Sequence, residues 1–241
     1  MSESFVACMC VQAERVSGDC NLQDVSNLVW AAAAMDNIAC FLPLWRSVAE
    51  TAKQTSWPDF LPEGEMQLHQ FFLAVEQGCS RQEITELLAA PHVRELVARC
   101  CATFVARSRS EARPSRLQAE VASTFRHVLE EDKGGEGFGL LEEQVLEEDG
   151  GGYSVDMILR GLGGERRVAV EVDGPSHFVA VAGKMGEGGW RVNGSTRLKR
   201  RLLAGLGWEV LSVPFFEWNV LRSKAAKEAY ARALLQDVGV V

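Results

Sequence analysis

Leu22, Val25, Leu28 and Val29 recur every three or four positions behind Asn21, and the WAAAAM run that follows is rich in helix formers. The spacing predicts a first helix capped by Asn21. A second is expected from about Leu42 to Gln54, interrupted by the Trp57-Pro58 and Leu61-Pro62 pairs, because proline pushes the preceding residue out of the helical region. A third, over Gly64 to Gln77, carries Leu68, Phe71, Phe72 and Val75 on one face, with Gly78 at its end. Ser80 begins a short helix to Ala89, and Pro91 opens another to about Arg107. RSRSEARPS, residues 107–115, alternates charge and contains proline, so it reads as a linker or an exposed turn. A last helix from Ser115 to about Glu131 carries Leu117, Val121, Phe125, Val128 and Leu129, and the glycine-rich stretch 134–139 stops it. Trp30, Trp45 and Trp57 are read as packing between these helices, and His69, His92 and His127 as surface or partly packed residues.

Beyond Gly150 the period falls to two. YSVDMIL and RRVAVEVDG, rich in β-branched residues and joined by RGLGGE, predict a β-hairpin. LEEQVLEED before them and EVLSVPF after the next helix predict two further strands. The order of helix, three strands, helix and strand is an α/β unit.

Charge follows the same division. Residues 1–152 hold 12 Lys+Arg against 24 Asp+Glu, and residues 153–241 hold 13 against 9, an asymmetry hidden by the overall net charge of −8. The basic half is the natural partner for a phosphate-bearing ligand. With 47% hydrophobic and 24% charged residues the chain is not of the disordered class, and no apolar run approaches the ~20 residues of a membrane span. The seven cysteines lack paired zinc spacing and favour a reduced compartment; Cys8, Cys10 and Cys20 are a weak metal set, read as thiols. The N-terminus has neither a secretory signal nor the arginine-rich composition of an organellar presequence, so either the protein needs no address or the chain is a fragment whose address lies upstream.

Asp156 lies in the strand before the turn, with Glu171 near the end of the next and Asp173 on the same face two residues on. An acid in the apolar VDMIL strand is costly unless it has a partner. Either these carboxylates converge on a divalent metal, or they are solvated strand-end acids or pair with Arg166 and Arg167; spacing does not choose between the two. In STRLKRRLLAGL, Arg197, Arg200 and Arg201 form one helix face and Leu198, Leu202, Leu203 and Leu206 the opposite one. That arginine face suits phosphates. Lys199 falls among the leucines, either snorkelling to solvent or reaching across the sheet to the acids. Residues 181–194 form a glycine-rich loop with Lys184 and Arg191 and no phosphate-loop spacing. Gly174 and Pro175 fit a sharp turn, Trp208 and Phe215 are read as core, and Trp218 and Asn219 as surface residues.

VAVEVDGPSHF, GSTRLKRRLL and LGWEVLSVPFFEWN, in that order, resemble the RAP domain, the RNA-binding module of organellar RNA-metabolism proteins such as the Fas-activated serine/threonine kinase family and many apicomplexan and algal proteins. The resemblance spans roughly residues 115–235, and the upstream DVSNLVWAAAAM and MQLHQFFLAVE are more loosely similar to the degenerate helical repeats of those proteins. It implies a PD-(D/E)xK nuclease-like fold with Asp156 and Glu171 at the two metal-binding acids. Asp173 stands where that pattern has lysine, which argues against cleavage unless a lysine has migrated to the site; Lys199 is the candidate, and His177 could serve as base or phosphate contact.

The expected architecture is therefore a poorly ordered stretch 1–20, an all-helical, repeat-like array over 21–110 and a RAP domain over 111–241. The expected function is single-stranded RNA binding in mitochondrial or plastid RNA processing, stability or translation, alongside other organellar RNA-processing or ribosome-assembly proteins and away from membranes. Binding needs no cofactor. The RNA contacts are expected from His177, Lys184, Arg191, Arg197, Arg200, Arg201, Trp218 and Asn219. The alternatives are a Mg²⁺- or Mn²⁺-dependent endoribonuclease built on Asp156, Glu171, Asp173 and Lys199, and a protein-interaction scaffold.

Overall fold

The computed structural model describes residues 20–38, 60–111, 113–133, 139–161, 166–181 and 189–240, with isolated positions between 8 and 15 and between 42 and 49. The chain divides into two compact units, 1–107 and 108–241. Most of the expected stretch 1–20, much of the helix expected over 42–54, Trp57 and Lys184 lie outside the described residues.

In the first unit the apolar stripes form α1 (Leu22–Ala34), α2 (Pro62–Gly78) and α3 (Arg81–Leu88). Asn21 and Ser80 cap α1 and α3 through reciprocal bonds with Asp24 and Glu83, satisfying backbone amides that helix starts leave unpaired. The α1 stripe of Val25, Val29, Ala32 and Ala33 and the α2 stripe of Leu68, Phe71, Phe72 and Val75 are buried. Trp45 fills the same core, edge-on to Phe72 at 5.1 Å, as expected of a packing residue. Glu65 is tolerated inside because Arg99 Nε lies 2.7 Å from it and the Thr103 hydroxyl donates to it. The long helix α4 (Pro91–Glu111) overruns the expected linker: residues 108–111 are helical, since nothing before Pro114 breaks the backbone pattern.

The second unit is a layered α/β structure. It contains α5 (Arg116–Lys133), β1 (Gly139–Leu146), β2 (Tyr153–Arg160), β3 (Arg167–Asp173), a 3-10 turn (Pro175–His177), β4 (Phe178–Ala180), β5 (Trp190–Val192), α6 (Gly194–Gly205), β6 (Trp208–Pro214), α7 (Phe215–Trp218) and α8 (Lys224–Asp237). The main sheet runs β1-β2-β3-β6. The first three strands form an antiparallel meander, and β6 lies parallel to β3, with Glu171 opposite Ser212 and Asp173 opposite Pro214. A parallel partner requires a crossover, and residues 174–207 supply it.

One sheet face carries Met157, Leu159, Val168, Val170, Val172, Leu211 and Val213 into a core with α5 and α8. The opposite face carries the acids, and α6 packs on β6 with Leu198, Leu202 and Leu203 buried. At about 1.5–3 kcal/mol per buried leucine, that stripe is the main force holding α6 on the sheet. α8 has no counterpart among the elements that the hydrophobic pattern predicts. Its LysAlaAlaLysGluAla start is polar and alanine-rich, and only Ala231 and Leu235 are fully buried along it.

Candidate functional site

Strand alternation and α6 together build the site. Asp156 on β2 and Glu171 on β3 share the face opposite the core, and Asp156 Oδ2 accepts a 2.6 Å hydrogen bond from the Val172 amide. Glu171 is 4% exposed, and Lys199 Nζ donates to its Oε2 at 2.6 Å. Of the two directions open to Lys199, the structure takes the one across the sheet. Its ammonium reaches Glu171.

Asp173 is fully buried at the end of β3. Arg200 Nη2 donates to its Oδ2 and, at 2.6 Å, to Ser212 Oγ; the serine hydroxyl in turn donates to the same carboxylate oxygen at 2.5 Å. Arg200 is thus turned inward. The three-arginine face expected on α6 is a correction: its positions share one side of the wheel, but a buried carboxylate draws Arg200 to the sheet edge, leaving Arg197 exposed and Arg201 half-buried.

His177 closes this end of the site. Its Nδ1 lies 3.0 Å from Thr196 Oγ1 and 3.4 Å from Asp173 Oδ1. Asn193, the cap of α6, fixes the geometry: its side chain accepts from the Thr196 amide at 2.8 Å and donates to the Ser176 carbonyl at 2.7 Å, tying the turn to the helix start. Gly174, in the sharp turn, does not use the left-handed region that glycine permits. Its φ is −69° and ψ 177°, an extended conformation open to any residue.

Burial raises the Glu171 carboxyl to about 7 even with Lys199 beside it, and burial likewise raises Asp156. Glu171 Oε1 is buried without a hydrogen-bond partner. Among the described residues no group of three or more His, Cys, Asp or Glu side chains is placed to hold a metal ion. Lys199 holds one oxygen of Glu171 and Arg200 one oxygen of Asp173, so positive charge already stands at two of the three carboxylates.

Three nominated residues, Trp218, Asn219 and Arg191, fall apart from this cluster. Trp218, expected at the surface, is wholly buried: Lys227 Nζ lies 5.3 Å above its ring and Tyr230 packs edge-on at 6.0 Å. The core side of α7 claims it, and Asn219, the next residue, is exposed. Arg191 is exposed on β5. Ser212 and Thr196 were missed, because small hydroxyl residues carry no sequence signal until register places them. Phe178, Phe215, Phe216 and Trp190 meet in a partly exposed ring cluster that only the short β4–β5 ribbon assembles.

The comparisons bear on this second unit. The RAP domain family model matches residues 170–234, from β3 into α8, so α5, β1, all of β2 with Asp156, and the first three residues of β3 lie outside the match. A rice (Oryza sativa subsp. japonica) protein named RAP domain-containing protein, chloroplastic, is 34% identical over 84 residues, 35% of this chain and 11% of that protein's length. No solved structure matches the chain. RAP domains are generally associated with RNA binding, which supports a nucleic-acid-related role. Strand, crossover helix and terminal segment of the second unit thus fall in one matched block, and the chain carries a RAP domain over residues 170–234.

Proposed function

We propose that the RAP domain binds single-stranded RNA without cutting it, in RNA processing, stability or translation within an organelle. The observation that carries this reading is the pairing of Lys199 with Glu171 and of Arg200 with Asp173: the acids of a nuclease-like position serve to clamp a basic helix on the sheet. The matched block holds ten Lys+Arg against six Asp+Glu, and Arg191, Arg197 and Arg201 sit on its surface or edge to meet phosphates. The rice relative's chloroplastic designation supports the organellar part. No helix among the described residues is long and apolar enough to cross a membrane.

A second reading, metal-dependent cleavage, is favoured by one observation: Lys199 does reach Glu171. One experiment separates the two. Labelled single-stranded RNA is incubated with the chain in Mg²⁺, Mn²⁺ or EDTA and run on native and denaturing gels. A shift without cleavage in all three is expected; metal-dependent cleavage abolished by Glu171→Gln would reverse the conclusion.

A further inference from the structure

β3 and β6 end side by side, with Asp173 opposite Pro214, so the next residues outward are Gly174 and Phe215. Phe215 and Phe216 of α7 meet Phe178 of β4 and Trp190 of β5. Ring centroids are 5.1 Å apart for Phe178 and Phe216, 5.3 Å for Trp190 and Phe215, and 5.4 Å for Phe215 and Phe216. Trp190 lies within 9° of parallel to Phe216. All four rings keep part of their surface in water, whereas Trp218 a few residues on is buried whole. The outward ends of parallel strands are where open α/β sheets take their ligands, and π-faces left there suit a planar partner.

Gly174 supplies a second, independent observation. Its backbone is one any residue adopts, and a Cβ built on it would meet nothing within 4 Å. Neither conformation nor packing within the described chain calls for glycine at that position. Bare backbone at a surface is useful when something outside the chain must approach closely. The exposed cations Arg191 and Arg197 stand on β5, the second strand of the ribbon, and on α6, the helix that follows it, and suit a polyanion.

We propose, resting on the RNA-binding reading above, that an unpaired base of single-stranded RNA stacks on the Phe178, Trp190, Phe215 and Phe216 cluster while its sugar–phosphate chain passes over Gly174. Stacking of this kind tolerates any base, so the site gives affinity for unpaired strands and little sequence preference.

The test measures affinity of the full chain for a single-stranded RNA oligomer and for an abasic ribose-phosphate oligomer of equal length. Trp190→Leu and Phe216→Leu are each expected to weaken RNA binding about tenfold and to leave abasic binding unchanged, while Trp190→Phe retains most of the affinity. Gly174→Leu is expected to weaken binding to both oligomers several-fold without lowering the thermal midpoint, because the fold has room for it. This variant keeps the test informative if loss of a ring disturbs the ribbon. If the wild type binds RNA and Trp190→Leu and Gly174→Leu bind it equally well, the RNA reading stands and the stacking site is overturned. Equal wild-type affinity for RNA and the abasic oligomer also overturns it. No binding of either oligomer overturns the RNA reading and this site with it.

Discussion

Arg200 and Asp173 meet across the gap between α6 and the end of β3. Asp173 has no solvent exposure, and Ser212 completes the hydrogen bonding of the carboxylate oxygen that Arg200 holds. A buried carboxylate without that guanidinium would be an uncompensated charge, and Arg200 without the acid would lose its anchor while its chain stays packed.

Asp173→Ala should therefore cost stability on the scale of losing one partner of a buried pair, about 3 kcal/mol or more, measured by urea denaturation. Asp173→Asn should cost less, since it keeps shape and one acceptor for Ser212. Equal, near-zero effects of both would show that the pair does not hold α6.

Glu171 makes stability depend on pH. Its carboxyl is raised by burial from an ordinary value of 4.5 to about 7, so the folded chain holds a proton that the unfolded chain has lost over that interval. The contribution is fully present below about 4.5 and is lost as pH rises through about 7. Asp156 is shifted in the same direction by the same cause. Thermal midpoints of the wild type should fall between pH 5 and 8, and those of Glu171→Gln should fall less over the same range.

Arg197→Ala combined with Arg201→Ala should make RNA affinity less sensitive to salt, with a slope of log K against log salt shallower by about 1.4, for two phosphate contacts at roughly 0.7 each. Arg200→Ala should act differently, lowering thermal stability more than the slope. Electrophoretic titrations at several salt concentrations, beside melting curves, separate the outer arginines from the inner one.

Trp218→Ala should destabilise the second unit by about 3–5 kcal/mol, the usual cost of emptying a buried tryptophan site, while RNA affinity of the still-folded protein at low temperature stays near that of the wild type. Loss of affinity without loss of stability would return Trp218 to the binding surface.

The meander and its crossover helix were legible because both depend on period: alternating β-branched residues in VDMIL and VAVEV, and a leucine stripe opposite the arginines of α6. The convergence of Asp156, Glu171 and Lys199 was open to reading because each lay on a face that alternation or the wheel assigns. Arg200 shows where that stops. A wheel gives its angle to within a few tens of degrees, and the deciding partner, Asp173, is held by a strand 27 positions away. Ser212 could not be placed without the parallel register. The β4–β5 ribbon has three-residue strands, too short for periodicity, and α8 lacks a continuous apolar stripe, so the rings the ribbon gathers and the helix that buries Trp218 both went unseen.

The parallel pairing of β3 with β6 also governs the order in which the chain can become safe from its own neighbours. β1, β2 and β3 are linked locally and can assemble as soon as they are made, but β6 arrives only after residues 174–207 have been synthesised and folded over the sheet. Until then β3, with its VAVEV backbone, is an open edge able to pair with any extended strand nearby. Lys199 and Arg200 reach Glu171 and Asp173 from within that same crossover, so the charges that would repel a second acidic edge are neutralised at about the moment β6 closes the sheet. A nascent chain stalled before Trp208 leaves β3 without its parallel partner and its edge open to another strand.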